Sequence, residues 1–100
     1  MSGRNSKMAA ARKDGPWHIK WTHRALKDLD SLDHQVARRI LRKLEGAAAE
    51  PARFFSRLAG SDDHKLRIGD FRLLALLSHD TATILVERVD HRSRIYERRG

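Results

Sequence analysis

The chain has 100 residues, of which 40% are hydrophobic and 34% charged, and 21 Lys and Arg against 13 Asp and Glu give a formal net charge of +8 at pH 7. That length supports one modest core and excludes a second large domain. The lack of cysteine excludes a disulfide framework and a thiolate metal site, and no apolar run is long enough to span a bilayer, so a reducing, cytoplasmic setting without a membrane partner is expected.

The charge is the strongest compositional signal. A field of this sign draws polyanions, nucleic acid first among them. The alternative is a basic soluble domain with no dedicated polyanion partner. Residues 1–16 contribute Arg4, Lys7, Arg12 and Lys13 against Asp14 and read as a basic, disordered arm, but the remainder is still net basic without them.

Gly15-Pro16 separates that arm from "WHIKWT", where Trp17, Ile19 and Trp21 alternate with His18, Lys20 and Thr22 as in a half-buried strand. Thr22 is placed to cap a helix through "HRALKDLDSL", with Ala25, Leu26, Leu29 and Leu32 at helical spacing. Asp33 caps a second helix, "HQVARRILRKLEGAAAE". Its stripe is Val36, Ile40, Leu44 and Ala47, widened by Leu41 and Ala48, and Pro51 ends it. The two form a helical hairpin. Arg38, Arg39, Arg42 and Lys43 lie off the stripe, on a solvated face.

Beyond "LAGSDD" the period changes to two. In "HKLRI", Leu66 and Ile68 face one way while Lys65 and Arg67 face the other, and Gly69-Asp70 makes a turn. "FRLLALLS" is apolar on both faces, as in a central strand. "TATILVERV" is a further strand and "DHRSRIY" a short final one. The predicted fold class is α+β. Its order is β-α-α-β-β-β: an N-terminal strand, a helical hairpin, then an antiparallel sheet of three to four strands carrying the hairpin on one face.

Strand parity gathers chemistry on the uncovered face. Lys65 and Arg67 fall there, as do Arg92, Arg94 and Tyr96, while Arg72 has the parity of Leu74 and Leu76. Lys, Arg and Tyr with no carboxylate between them suit a phosphodiester: arginine forks onto two phosphate oxygens, lysine supplies a point charge, and tyrosine stacks on a base or donates a proton. They also permit RNA cleavage without a metal, because the ribose 2′-hydroxyl supplies the nucleophile. The protein then has to accept that proton and stabilise the phosphorane. A lysine crowded by arginines is a candidate base. The six histidines are scattered without metal-ligand spacing, so neither a metal nor a cofactor is expected. Any one of these cations alone reads as solvated surface charge; the grouping carries the inference.

The stretches "WTHRALKDLDSLD", "VARRILRKL", "KLRIGDFRLLALL" and "VERVDHRSRIYERR" together resemble the RelE/ParE superfamily of toxins from toxin–antitoxin systems. The resemblance runs over residues 17–98, and the final stretch is similar to the RelE branch. It implies an mRNA interferase, an endoribonuclease that cuts mRNA at the ribosomal A site and so inhibits translation. The implied partners are mRNA, the ribosome and a cognate RelB-like antitoxin. The toxin alone would be a monomer, with a heterotetramer admitted in the antitoxin complex. The resemblance places Lys65, Arg72, Arg92 and Tyr96 at active-site positions. Arg72 and Arg92 would stabilise the transition state, Lys65 would act as a base or further charge, and Tyr96 would orient or stack the nucleotide. His91 is a candidate general acid, although simple alternation turns it away from Tyr96. Arg67 and Arg94 would bind RNA. Asp63 stands where some RelE members carry a second lysine, which leaves the identity of the base open. Two alternatives stand beside this reading: a ParE-like toxin that binds gyrase without cutting RNA, and an inactive relative.

Overall fold

The computed structural model describes residues 16–91. Its elements are β1 (His18–Trp21), α1 (His23–Asp30), α2 (His34–Ala48), α3 (Pro51–Phe54), β2 (Ser56–Arg57), β3 (Asp63–Ile68), β4 (Phe71–Ser78) and β5 (Thr83–His91). Both helix starts are set by the side chains expected to cap them. Thr22 Oγ1 accepts the Ala25 N–H at 3.0 Å, and Asp33 Oδ2 accepts the Gln35 N–H at 3.1 Å. Pro51 does more than stop α2. It opens the short helix α3, where its missing N–H has no partner to lose.

The sheet has five strands in the order β1-β5-β4-β3-β2. It is mixed, larger than the three to four antiparallel strands expected. β1 runs parallel to β5, with Ile19 opposite Ile84 and Trp21 opposite Val86; the other neighbours are antiparallel. β1 and β5 are the first and last of the described strands, and the long stretch between them, through the helices and three strands, allows the parallel pairing that a tight hairpin turn could not make. The β3–β4 hairpin turns through Gly69-Asp70, with Gly69 at φ +59°, a backbone conformation that favours glycine.

One face of the sheet carries Leu66, Ile68, Leu73, Ala75, Ile84, Val86 and Val89, all buried with Ala25, Ile40, Leu44, Ala47 and Ala48 of the helices. Ile40 and Leu44 are wholly inaccessible to solvent. Each such aliphatic side chain contributes about 1.5–3 kcal/mol through burial, so α2 is held chiefly by this stripe. Backbone contacts fix the edges: the Trp17 N–H donates to the Ala48 carbonyl at 2.8 Å, and the Thr22 N–H to the Val86 carbonyl at 3.0 Å. The opposite face is left to charged and half-buried side chains.

Candidate nucleic-acid interface and active site

Register turns strand parity into neighbours. Arg67 of β3 lies directly opposite Arg72 of β4, and Arg72 lies directly opposite Asp90 of β5. One step along the sheet, Lys65 is opposite Leu74 and Leu74 is opposite Arg88; a step further, Asp63 is opposite Leu76. The uncovered face thus brings Lys65, Arg67 and Arg72 together, as strand alternation predicts. Arg67 is exposed and Lys65 half-buried, whereas Arg72 is only 4% exposed. A charged group at that depth needs an opposing charge beside it. Asp90, 6% exposed, is the residue that register sets next to it.

His91 falls on the other side of the sheet. It is opposite Phe71, and their rings meet edge to face with centroids 5.4 Å apart. The irregularity that would have brought it round to the cations is not at His91. It is a bulge further up β5, where Leu74 pairs with Arg88 but Ala75 pairs with Val86, leaving Glu87 as the inserted residue. Arg92, Arg94 and Tyr96 lie outside the described residues.

The uncovered face also holds carboxyl groups, against the expectation of cations alone. Asp28 of α1 accepts Arg88 Nε at 3.0 Å and the Val89 N–H at 3.0 Å through the same oxygen, while Arg88 Nη2 donates to Asp90 at 3.0 Å. Burial by itself would raise the Asp28 pKa, but the Val89 N–H and the Arg88 guanidinium outweigh it and hold the carboxyl below its ordinary value. Helix α1 therefore closes the edge of β5 where β1 stops. The same contacts tie it to the Arg72–Asp90 row.

Glu87 behaves in the opposite way. Burial, a hydrogen bond with the Asp63 side chain and the Asp63 charge push its pKa up to about 7. Since Asp63 shares the parity of Lys65 and Arg67, this contact places the Glu87 carboxyl on the cation-bearing face, spanning β4. Alternation could not have found Glu87, because a bulge breaks the count of two. The hint in the sequence is the adjacent pair Glu87 and Arg88, two charged residues in succession where strict alternation would allow one.

On the helical side, α2 and α3 border a cleft of about 400 Å³ with Arg39, Arg42 and Lys43 around Gly46, Ala47 and Phe54. Phe54 is 41% exposed. A second cleft, of about 490 Å³, runs along α1 between His23, Leu26, Leu29 and Leu32. Among the described residues no helix is long and apolar enough to cross a membrane.

A family model described as the ParE toxin of the type II toxin–antitoxin system parDE matches residues 19–96. The chain belongs to this toxin family. As a RelE/ParE-family toxin it also shares its fold with solved toxin–antitoxin structures. The toxin–antitoxin complex RelBE2 from Mycobacterium tuberculosis matches at 27% identity and a TM-score of 0.74, covering 79% of this chain and 94% of that one. The intact RelBE complex of E. coli matches at 25% identity and a TM-score of 0.64, covering 75% and 95%. The chromosomal ParDE system of P. aeruginosa, at 18% identity, a TM-score of 0.62 and coverage of 75% and 95%, shares the fold. No curated protein matches the chain by sequence. The RelE/ParE toxin reading accounts for the helical hairpin and the sheet alike, and a cognate antitoxin is the partner that such a toxin has.

Proposed function

We propose that this toxin is an endoribonuclease that cuts mRNA in the ribosomal A site and thereby stops translation. The observation that carries the proposal is the Arg67–Arg72 cross-strand pair, with Lys65 on the same face. Like charges directly opposite each other destabilise a sheet, so a fold that keeps them there gains when an anion lies over them. Exposed Arg67 and half-buried Lys65 can meet a phosphate directly. Arg72 stands beside Arg67 but is buried, so its field is poorly screened by water and it acts as a fixed positive charge toward the phosphorane. The family resemblance assigns Arg92, Arg94 and Tyr96 roles in the same reaction, Tyr96 that of stacking on the nucleotide. Attack by the ribose 2′-hydroxyl leaves a 2′,3′-cyclic phosphate and a 5′-hydroxyl and calls for no metal.

The antitoxin in this reading is an acidic, partly apolar segment. The α2–α3 cleft fits it by charge and shape: Arg39, Arg42 and Lys43 ring an apolar floor that ends at Phe54. An extended peptide lying there and continuing over the sheet would silence the site by covering it.

Brief expression of the chain alone, followed by primer extension on cellular mRNA, tests the activity. Discrete cuts inside coding regions, with cyclic-phosphate ends that form in the presence of EDTA, are expected. Intact mRNA alongside gyrase-dependent DNA breaks would transfer the protein to the ParE-like reading, to which the matching family model gives weight. Normal growth with folded toxin present would mark an inactive relative.

A further inference from the structure

The proposed reaction needs a group to take the 2′-hydroxyl proton, and the sequence leaves that group open. The geometry assigns it to Glu87, with Asp63 as the positioning residue that holds its carboxyl over the cation-bearing face. This assignment rests on the endoribonuclease reading and extends it.

Three observations converge. Glu87 is the inserted residue of the β5 bulge, which turns its side chain out of the strand's alternation. Its carboxyl is hydrogen-bonded to Asp63, two strands away, so it lies across Leu74 and Leu76 rather than out in solvent. Lys65 lies two residues along the strand from Asp63 and Arg67 four, on the same face, so the carboxyl borders the group of cations that would hold the phosphate. The Glu87 backbone is fixed as well, its carbonyl accepting Thr22 Oγ1 at 3.2 Å.

The charged groups around the pair belong to every neighbouring element. Lys65 and Arg67 face it from β3, Arg72 from β4, Arg88 and Asp90 from β5, and Lys20 from β1, the neighbour of Leu85. At the end of α1, Asp28 is committed to Arg88 and Val89. Arg88 is in turn divided between Asp28 and Asp90. Burial, and then Asp63 as the group the carboxyl meets, hold the proton on Glu87 to a higher pH than an exposed carboxyl keeps it. A base that gives up its proton near pH 7 has the strength that proton abstraction at neutrality favours.

The step balances. The ionised Glu87 takes the proton from the 2′-hydroxyl while the O2′–P bond forms. The P–O5′ bond breaks, and the departing 5′ oxygen takes a proton from water. Glu87 then returns its proton to solvent, so nothing is consumed.

Single-turnover cleavage of an mRNA on programmed ribosomes, followed across pH, tests the assignment with the full-length toxin. The wild-type rate should rise with pH through about 7 as Glu87 ionises. Glu87→Gln should lower the rate by about 10²–10⁴ and abolish that rise. Asp63→Asn should retain the rise but move its midpoint down, because the like charge is gone while the burial remains. A purely structural pair would give no such displacement. Far-ultraviolet circular dichroism and a thermal melt confirm that each variant is folded. Cleavage by Glu87→Gln at the wild-type rate with the wild-type pH profile would overturn the assignment and leave the nuclease reading intact. An unmoved midpoint in folded Asp63→Asn would remove Asp63 from it. If the wild-type chain cuts no RNA at any pH, both readings fall together.

Discussion

The two faces of one sheet divide the labour of this protein. Under the helices, Leu66, Leu73, Ile84 and Val86 meet Ile40 and Leu44, and burial of apolar surface is the whole of the interaction. On the other face, Arg67, Arg72 and Asp90 stand in one row across three strands, and charge sets the arrangement. The two are built on alternate residues of the same strands. A substitution one position along can therefore move from a purely structural effect to one on chemistry.

Arg72→Ala breaks this division most severely, because Arg72 belongs to the charged face yet is buried like the core. Its removal takes a buried charged side chain from beside Asp90, which Arg88 Nη2 still holds at 3.0 Å. The loss should cost about 1–3 kcal/mol. Cleavage should fall by about 10²–10³ as well, the usual loss for one transition-state donor. Chemical denaturation and single-turnover cleavage measure the two effects. Loss of rate with unchanged stability would mean that Asp90 is held by Arg88 alone. Leu44→Ala is the counterpart beneath the helices. A cavity at this wholly buried site should cost about 2–5 kcal/mol, while cleavage per folded molecule stays at the wild-type level.

Much of this was readable from the residues alone, for reasons that differ between the faces. The caps at Thr22 and Asp33, the stripe through Ile40 and Leu44 and the alternation around Lys65 and Arg67 are local patterns, and periodicity reports local patterns well. The parallel seat of β1 beside β5 joins the first and last of the described strands across the helices and three other strands, a separation that no window of sequence contains. The two-residue strand β2 and the single turn α3 are too short to have a period. Parity set Arg72 on the correct face but said nothing of depth, since burial depends on what neighbouring strands place over a residue. The bulge at Glu87 was hidden for the same reason as its consequence: one inserted residue shifts the count, and only the partner strand shows where. Alternation also turns His91 away from the cation-bearing face, and β5 does continue through His91 in regular register with Phe71.

Asp28 joins the two faces and should have an intermediate effect. It satisfies a backbone N–H that β1 is too short to reach and carries Arg88 on the same oxygen. Asp28→Ala should therefore cost about 1–3 kcal/mol, the penalty for leaving partly buried partners unsatisfied. Its folded-state pKa lies below the ordinary value of 3.8. The stability it supplies is thus present above that value and is lost as pH falls through the folded pKa. Denaturant melts of wild type and Asp28→Asn should differ at about pH 7 and converge toward about pH 3. An equal gap at both would show that the charge of Asp28 contributes nothing and that its hydrogen bonds act alone.

Glu87 gives a smaller effect of the opposite sign. Its pKa is raised in the folded chain, to about 7 from an ordinary 4.5, so the native state binds more protons than the unfolded state between those values. Stability should fall as pH rises through that window, and Glu87→Gln should remove the fall. Above it the variant should exceed wild type by on the order of 1 kcal/mol, a figure reduced for solvent screening at a partly exposed site. Thermal melts at about pH 5 and about pH 8 would measure the crossing. A wild-type chain no less stable on the alkaline side would show that the two carboxyls relax apart once both are ionised.

The smallest change in stability should give the cleanest separation of the faces. Arg67 and Arg38 are both exposed arginines, one beside Arg72 on the sheet and the other on the outer side of α2. Truncating either to Ala should alter stability by no more than about 0.5 kcal/mol, as exposed substitutions away from a network usually do. Their effects on RNA should nevertheless diverge. Arg67→Ala removes the exposed half of a like-charged pair and should weaken substrate binding, raising KM and flattening its dependence on salt. Arg38→Ala should leave both near wild type. Steady-state cleavage at two ionic strengths distinguishes them. If the two variants lose activity equally, RNA is held by the overall positive field of the protein, and the cation row on the sheet has no special place in binding.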